Sequence, residues 1–342
     1  RTTNKDFTSI EQVLNEYYDR IEALQNNPGA VVGVPTGFSD LNEATGGLQP
    51  SDLIILAARP GVGKCLPSHT IIDDPATGER VTLEEYVRQE RGVVLGISER
   101  GHVRATPISH WIDSGVKPTY RVRTRLGREV EVTGHHPFLT VNGWVPLHDL
   151  KVGDHIGVPR QVPVFGNDTS LSRERVRILA YLIAEGCLTS TSPQFTNADP
   201  EIVADFTHCV TQEFGECEVG LQVGSAIDYR VTRPYSKYPR RGMTNPLTAW
   251  LREIRLWGKL AEEKAFPACA WTWNASRLAE FLRVLMSCDG SIYADGRGNP
   301  RIEFSVASKQ LAADVYHAFV RFGIVARLYR KSERCWRVQV TE

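Results

Sequence analysis

Leu53-Ile54-Ile55-Leu56-Ala57-Ala58-Arg59-Pro60-Gly61-Val62-Gly63-Lys64-Cys65-Leu66-Pro67 sets two kinds of chemistry side by side. The apolar run from Leu53 to Ala58 reads as a buried strand. It enters a Gly-rich loop that ends on Lys64, an arrangement in which backbone N–H groups and a lysine cradle phosphates. Such a loop needs Ser or Thr next, to reach Mg²⁺, and a helix N-terminus behind it. Cys65 stands there instead, and Pro67 obstructs the helix. Ala58, Gly61, Gly63 and Lys64 are therefore candidate phosphate-binding residues of a loop that, as written, cannot hold a nucleotide normally.

Upstream, Ser9 and Gln12 form a capping box, and Ile10, Val13, Leu14, Tyr17, Tyr18, Ile21 and Leu24 share one helical face, so residues 8–25 are expected to be helical. Pro28 and Gly29 stop that helix, and Gly-rich turns around Gly37, Gly46 and Gly47 open a second unit. The phrases Gly33-Val34-Pro35-Thr36-Gly37-Phe38-Ser39-Asp40-Leu41, Thr45-Gly46-Gly47-Leu48 and Asp52 to Pro60 resemble the start of the RecA-like ATPase domain of DnaB-type replicative helicases, and Ala58 to Lys64 resembles a Walker A loop. The resemblance implies a linker helix over residues 1–33 and an α/β ATPase start over 34–64. It departs from the family at Cys65.

After Lys64 the texture changes to short alternating segments, with turns about every ten residues as far as Val158 and a short helix over Thr82 to Gln89. Cys65-Leu66-Pro67-Ser68-His69-Thr70-Ile71-Ile72, then Thr133-Gly134-His135-His136, then Gly143-Trp144 and Leu150 to Asp154 resemble the splicing blocks of inteins. That implies an all-β horseshoe of the Hint type over residues 65–165, with no cofactor for splicing. The resemblance makes Cys65 the nucleophile on the Lys64 carbonyl, His136 the acid that protonates the leaving amide nitrogen, and Thr133 a hydrogen-bonding partner of the same peptide. His69 and His135 are read as structural. The terminal Asn and the downstream Cys, Ser or Thr that splicing needs are expected beyond Glu342. The start at Arg1 and the strand-like Trp336 to Glu342 likewise read as the ends of a fragment.

From Ser170 onward long helical patterns return. Leu179 to Gly186 and Leu282 to Gly290 are similar phrases about one hundred residues apart, a degenerate repeat large enough to be two copies of one half-domain. They resemble the paired motifs of LAGLIDADG homing endonucleases, which implies an α+β domain over residues 166–342. The resemblance makes Glu185 and Asp289 the catalytic and metal-binding acids, packs their helices through Ala180 and Ala184, and makes Lys264, in Lys264-Ala265-Phe266-Pro267, a charge-stabilising residue. Two close carboxylates offer hard oxygen ligands for Mg²⁺. The departures are Glu at 185 and Arg283 within the second motif.

The composition, 42% hydrophobic and 23% charged with zero formal net charge, is that of a mixed multidomain globular chain and points to no partner by charge. Local basic runs such as Arg230 to Arg241, with Arg233, Lys237 and Arg240, could form a patch, although that run by itself reads as a solvated loop. Seven scattered cysteines without a C-x-x-C pair argue against disulfides or zinc. No signal peptide or membrane-length apolar stretch occurs, so a bacterial cytoplasmic protein without a membrane partner is expected. The implied partners are double-stranded DNA at the insertion site and, after splicing, fork DNA, ATP with Mg²⁺ and a homo-hexamer. Other readings are a plain ATPase with a long insertion, a hedgehog-like module that cleaves without ligating, and an endonuclease domain kept only for DNA binding or structure.

Overall fold

The computed structural model describes residues 65–98, 100–233 and 244–341, together with Ser9, Ile10, Glu11, Leu14, Asn15, Tyr18, Glu22, Gln25, Asn26 and Val34. The chain divides into two compact units, Arg1–Val62 and Gly63–Glu342. In the first, the described positions from Ile10 to Asn26 are helical, and Ile10, Leu14 and Tyr18 of the expected apolar face are exposed. The strand expected over Leu53 to Ala58, the loop residues Ala58, Gly61, Gly63 and Lys64, and most of the basic run lie outside the described residues.

In the second unit, residues from Cys65 to Pro146 make four antiparallel two-stranded sheets. These are β1 (Ile71–Asp73) with β2 (Arg80–Thr82), β3 (Val93–Ile97) with β4 (Val103–Pro107), β5 (Thr119–Arg123) with β6 (Glu129–Thr133), and β7 (Pro137–Thr140) with β8 (Gly143–Pro146). The expected helical exception is α1 (Leu83–Arg88), whose N-cap Thr82 accepts from the Glu85 amide. Isolated hairpins are marginal in water because one ladder buries too little apolar surface. Tyr86 and Val132 are the apolar side chains fully buried here, and the large core begins at Val162. Docking onto the C-terminal part of the unit steadies the hairpins. The Leu328 amide donates to the Leu126 carbonyl at 3.0 Å, and Arg128 Nε donates to the Tyr316 hydroxyl at 2.8 Å.

The rest of the chain repeats one pattern twice. The first copy runs α2 (Arg173–Glu185), β9 (Gly186–Cys187), β10 (Gln194–Thr196), α3 (Pro200–Glu213), β11 (Glu218–Leu221) and β12 (Asp228–Thr232), and is followed by α4 (Pro246–Glu253). The second runs α5 (Ala275–Asp289), β13 (Gly290–Ala294), β14 (Pro300–Val306), α6 (Lys309–Phe322), β15 (Ala326–Ser332) and β16 (Cys335–Val340). Both sheets are antiparallel with the strand order first, second, fourth, third. The duplication expected from two short phrases thus extends through whole half-domains.

Helix α2 buries Val176, Ile178, Leu179, Ala180, Tyr181, Leu182 and Ile183, nearly all round its circumference, as befits a central helix. It packs along α5, whose Phe281 meets Phe266 and Trp273 edge-on at 4.9 and 5.5 Å. Both helices start where an Asx or Ser side chain takes up an orphan amide: Ser172 accepts from Arg175 N and Asn274 from Arg277 N. Among the described residues no helix is long and apolar enough to cross a membrane, and the seven cysteines are free thiols.

Candidate functional site

Two clusters contain the candidate residues. In the first, the Thr133 amide, at the end of β6, donates to the Cys65 carbonyl at 3.3 Å. The chain then turns tightly, and the His136 amide donates back to the Thr133 carbonyl at 3.0 Å before β7 begins. Thr133 is buried, Cys65 is half-buried, and the His136 ring lies against Phe138 with centroids 5.4 Å apart. The four-residue turn brings the backbone of the fourth residue back beside the first, and the backbone bond ties Thr133 to the chain at Cys65. His135 packs edge-on against His148 at 4.9 Å, and His69 sits 3.3 Å from Glu131 on the surface.

In the second cluster, Glu185 is the last residue of α2 and Asp289 the last of α5. Each is followed by a glycine at which the chain turns from helix to strand. A Cβ at Gly186 would lie 2.5 Å from the Leu182 carbonyl oxygen, and one at Gly290 2.3 Å from that of Met286, so no larger residue fits. Packing α2 on α5 brings the two acids to one end of the helix pair. Lys264 is 5% exposed and donates from Nζ to the carbonyls of Leu182 (3.0 Å), Ala184 (3.4 Å) and Gly186 (2.7 Å), where the helix end carries partial negative charge.

The charges are coupled. Burial, then the charge of Glu185, pushes the Asp289 carboxyl up to about 6, against the pull of Lys264. Burial also raises Glu185, opposed by its hydrogen bond with Asn197 and by Lys264. Burial pushes Lys264 down to about 8, while Asp289, Cys187 and Glu185 oppose that. Two acids facing one ammonium leave an excess of negative charge at a partly desolvated place, and their oxygens are the hard donors that suit Mg²⁺. Among the described residues no group of three or more His, Cys, Asp or Glu is placed to hold a metal. A cation there would draw its other ligands from water, backbone or phosphate.

Sequence patterns did not single out the residues that hold this cluster. Asn197 Nδ2 donates to Glu185 Oε2, while its own Oδ1 accepts from Asp199 N at 2.8 Å. Ser308 Oγ donates to the Lys264 carbonyl at 2.6 Å, and the Phe266 amide donates to Asp314 Oδ2 at 3.0 Å. Asn197 accepts from Asp199 N just before α3 and Ser308 caps α6, while the partners they hold at the site lie too far along the chain for spacing to reveal. Arg283, the departure inside the second motif, is exposed and pairs at 2.9 Å with Glu280, which also binds Arg177 of α2 at 2.6 Å.

The family described as the intein splicing domain matches residues 74–334, and that described as the DnaB-like helicase C-terminal domain matches residues 33–90. The chain is 33% identical over 274 residues to the replicative DNA helicase DnaB of Rhodothermus marinus, covering 77% of this chain and 28% of that protein. It is 27% identical over 270 residues to RecA of Mycobacterium tuberculosis, strain ATCC 25618 / H37Rv, covering 76% and 33%. Similar solved structures include a DnaB intein from Synechocystis sp. PCC 6803, at 29% identity, 28% of this chain, 70% of that chain and a TM-score of 0.27. I-DmoI in complex with DNA and Mn gives 12% identity, 49% of this chain, 89% of that chain and a TM-score of 0.34. The chain spans 28–31% of the length of the three DnaB relatives that it matches.

Proposed function

Because the chain belongs to the intein splicing-domain family, with a DnaB-like helicase segment at residues 33–90, we propose that it is the unspliced form of a replicative helicase whose insert excises itself and cuts DNA. In this reading residues 1–33 are a linker helix and 34–64 begin a RecA-like domain. Residues 65–165 are the first part of a horseshoe-shaped splicing domain, and 166–342 are the endonuclease. Matches of similar extent to proteins named DnaB and RecA support an insert shared between different hosts.

The observation that carries the splicing reading is the hydrogen bond from Thr133 N to Cys65 O at 3.3 Å, with His136 closing the same turn. The Cys65 thiolate attacks the Lys64 carbonyl carbon. A C–S bond forms, the C–N bond to Cys65 breaks, and the amine nitrogen takes a proton, leaving a thioester. An amide nitrogen is a poor leaving group until protonated, so an acid within reach lowers the barrier; His136 has that role and Thr133 holds the peptide. The test is intact mass of the complete precursor: release of the insert and joined flanks are expected, and normal excision by Cys65→Ala would remove Cys65 from the mechanism.

For DNA cutting, Glu185 and Asp289 would hold Mg²⁺, which would supply positive charge to stabilise a phosphodiester as it is cleaved. Lys264 holds its ammonium beside the acids and tunes their charge, and Asn197 orients Glu185. The substrate is duplex DNA across the uninterrupted helicase sequence. Glu185→Gln is expected to abolish cutting while sparing DNA binding and splicing. After excision, Ala58, Gly61, Gly63 and Lys64 regain a following hydroxyl and bind ATP with Mg²⁺ in a hexamer that unwinds fork DNA.

A further inference from the structure

The hairpin β1–β2 belongs by sequence to the splicing part, yet its charged side chains end inside the endonuclease part. Asp73 Oδ1 accepts from His317 Nε2 at 2.8 Å and from Arg321 Nη2 at 2.8 Å, with Arg80 Nε at 3.5 Å. Arg321 is fully buried and donates also to the carbonyls of Gly78 (2.7 Å) and Trp271 (3.1 Å). Such a cluster stays buried only if every charge has a partner. Burial would raise the Asp73 carboxyl, but the hydrogen bond from His317 and the charges of His317, Arg80 and Arg321 hold it well below the ordinary range.

Arg80 extends this cluster toward Lys264 by two routes. Its Nη1 lies 3.6 Å from Asp314 Oδ1, while Asp314 Oδ2 accepts the Phe266 amide at 3.0 Å. Its guanidinium carbon lies 4.8 Å from the centre of the Trp271 ring, which stacks on Phe266 at 5.2 Å and 25°. Asp314 is buried, and burial raises its carboxyl above the ordinary value, opposed by the Phe266 amide, Gln310 and the charge of Arg80. Phe266 is two residues from Lys264, whose ammonium must sit among the last carbonyls of α2.

We propose that Arg80 is a positioning residue of the endonuclease, anchoring the Lys264–Phe266 segment through Asp314 and Trp271, an inference that rests on the nuclease function proposed for Glu185 and Asp289. The splicing domain then supplies a structural part of the nuclease site. Without Arg80 the carboxylate of Asp314 is a buried charge lacking a guanidinium, the Phe266 ring loses support, and Lys264 shifts from the acids. Small displacements of a catalytic group cost rate far more than binding, so turnover falls while substrate binding holds.

The test compares the full chain with Arg80→Met and Arg80→Lys, on a duplex spanning the uninterrupted helicase sequence with Mg²⁺, and measures hydrogen exchange at the Phe266 amide in each. Arg80→Met is expected to lower kcat about tenfold or more with KM unchanged and to speed exchange at Phe266, with Arg80→Lys restoring part of both. Unchanged Phe266 exchange in folded Arg80→Met overturns the proposal, whether or not the protein cuts DNA. An unmodified chain inert on the duplex overturns the nuclease reading, and with it the positioning role, even if Phe266 responds. Should Arg80→Met not fold, Arg80→Lys is read on the same amide: faster exchange than the unmodified chain supports the anchor, and equal exchange overturns it.

Discussion

Lys264 Nζ donates to the Gly186 carbonyl at 2.7 Å, one residue beyond Glu185, so the buried cation grips the chain at the point where the acid leaves its helix. Charge at this place is held against the preference of every group in it. Burial raises Asp289 and Glu185 and lowers Lys264.

Asp289→Asn is therefore expected to stabilise the protein while abolishing cutting. A carboxyl whose folded pKa is raised opposes folding above that pKa, and the opposition is relieved as pH falls from about 6 toward the ordinary 3.8. The gain at pH 7 is about 1–2 kcal/mol once partial solvent exposure is discounted. Thermal melts read it, and Mg²⁺ should raise the Tm of the unmodified chain more than that of Asp289→Asn. An equal Mg²⁺ shift in both proteins would count against a cation between the two acids.

Stability should fall on acidification because of the Asp73–His317 pair. His317 has a lowered pKa, so the unfolded chain binds a proton first as pH drops below the ordinary 6.5. Asp73 has a lowered pKa too; its contribution is present above the ordinary 3.8 and is lost as pH falls through and below that value. Asp73→Asn should flatten the lower part of the curve. Urea midpoints at about pH 7, 4 and 2.5 measure this, and parallel curves for both proteins would contradict it.

Thiol-induced cleavage isolates the first step of splicing. With an added thiol the chain is expected, if Cys65 is the nucleophile as proposed, to release residues 1–64 by cleavage after Lys64; the Cys65 carbonyl accepts the Thr133 amide, which ties the two segments together. His136→Asn should slow release about a hundredfold, and Cys65→Ala should prevent it. Mass spectrometry gives the cleavage position, and release by Cys65→Ala would sink the assignment.

Arg283→Ala should leave DNA cutting within about twofold of the unmodified chain, because Arg283 is an exposed residue whose pair with Glu280 is worth little in water. A large loss of cutting would mean that this face contacts the duplex.

Nucleotide binding should separate precursor from product. If the insertion begins at Cys65 as proposed, it parts Lys64 from the hydroxyl and helix N-terminus that a phosphate loop needs, so the unspliced chain is expected to lack Mg-dependent ATP affinity and the spliced helicase to have it. Equal affinity in titrations of both would show that the interruption is harmless.

Several of these features were legible in the sequence because their chemistry is local. A Gly-rich loop ending on Lys64 and followed by Cys65 and Pro67, a Thr133-x-x-His136 turn, and two helices each ending in an acid and a glycine are local patterns, decided over a few residues, and resemblance to known families gave them their reading. The repeat of two phrases foretold two half-domains, and the strand order of both sheets agrees. Only the tertiary structure decided that Lys264 would be buried against α2, that Asn197 would hold Glu185, that Arg283 would face solvent, and that Asp73 and Arg80 would cross into the second part of the unit. Those contacts join residues up to 248 positions apart, as Asp73 and Arg321 are. No local pattern encodes them, because a buried charge is tolerated only where distant elements pack to supply its partner.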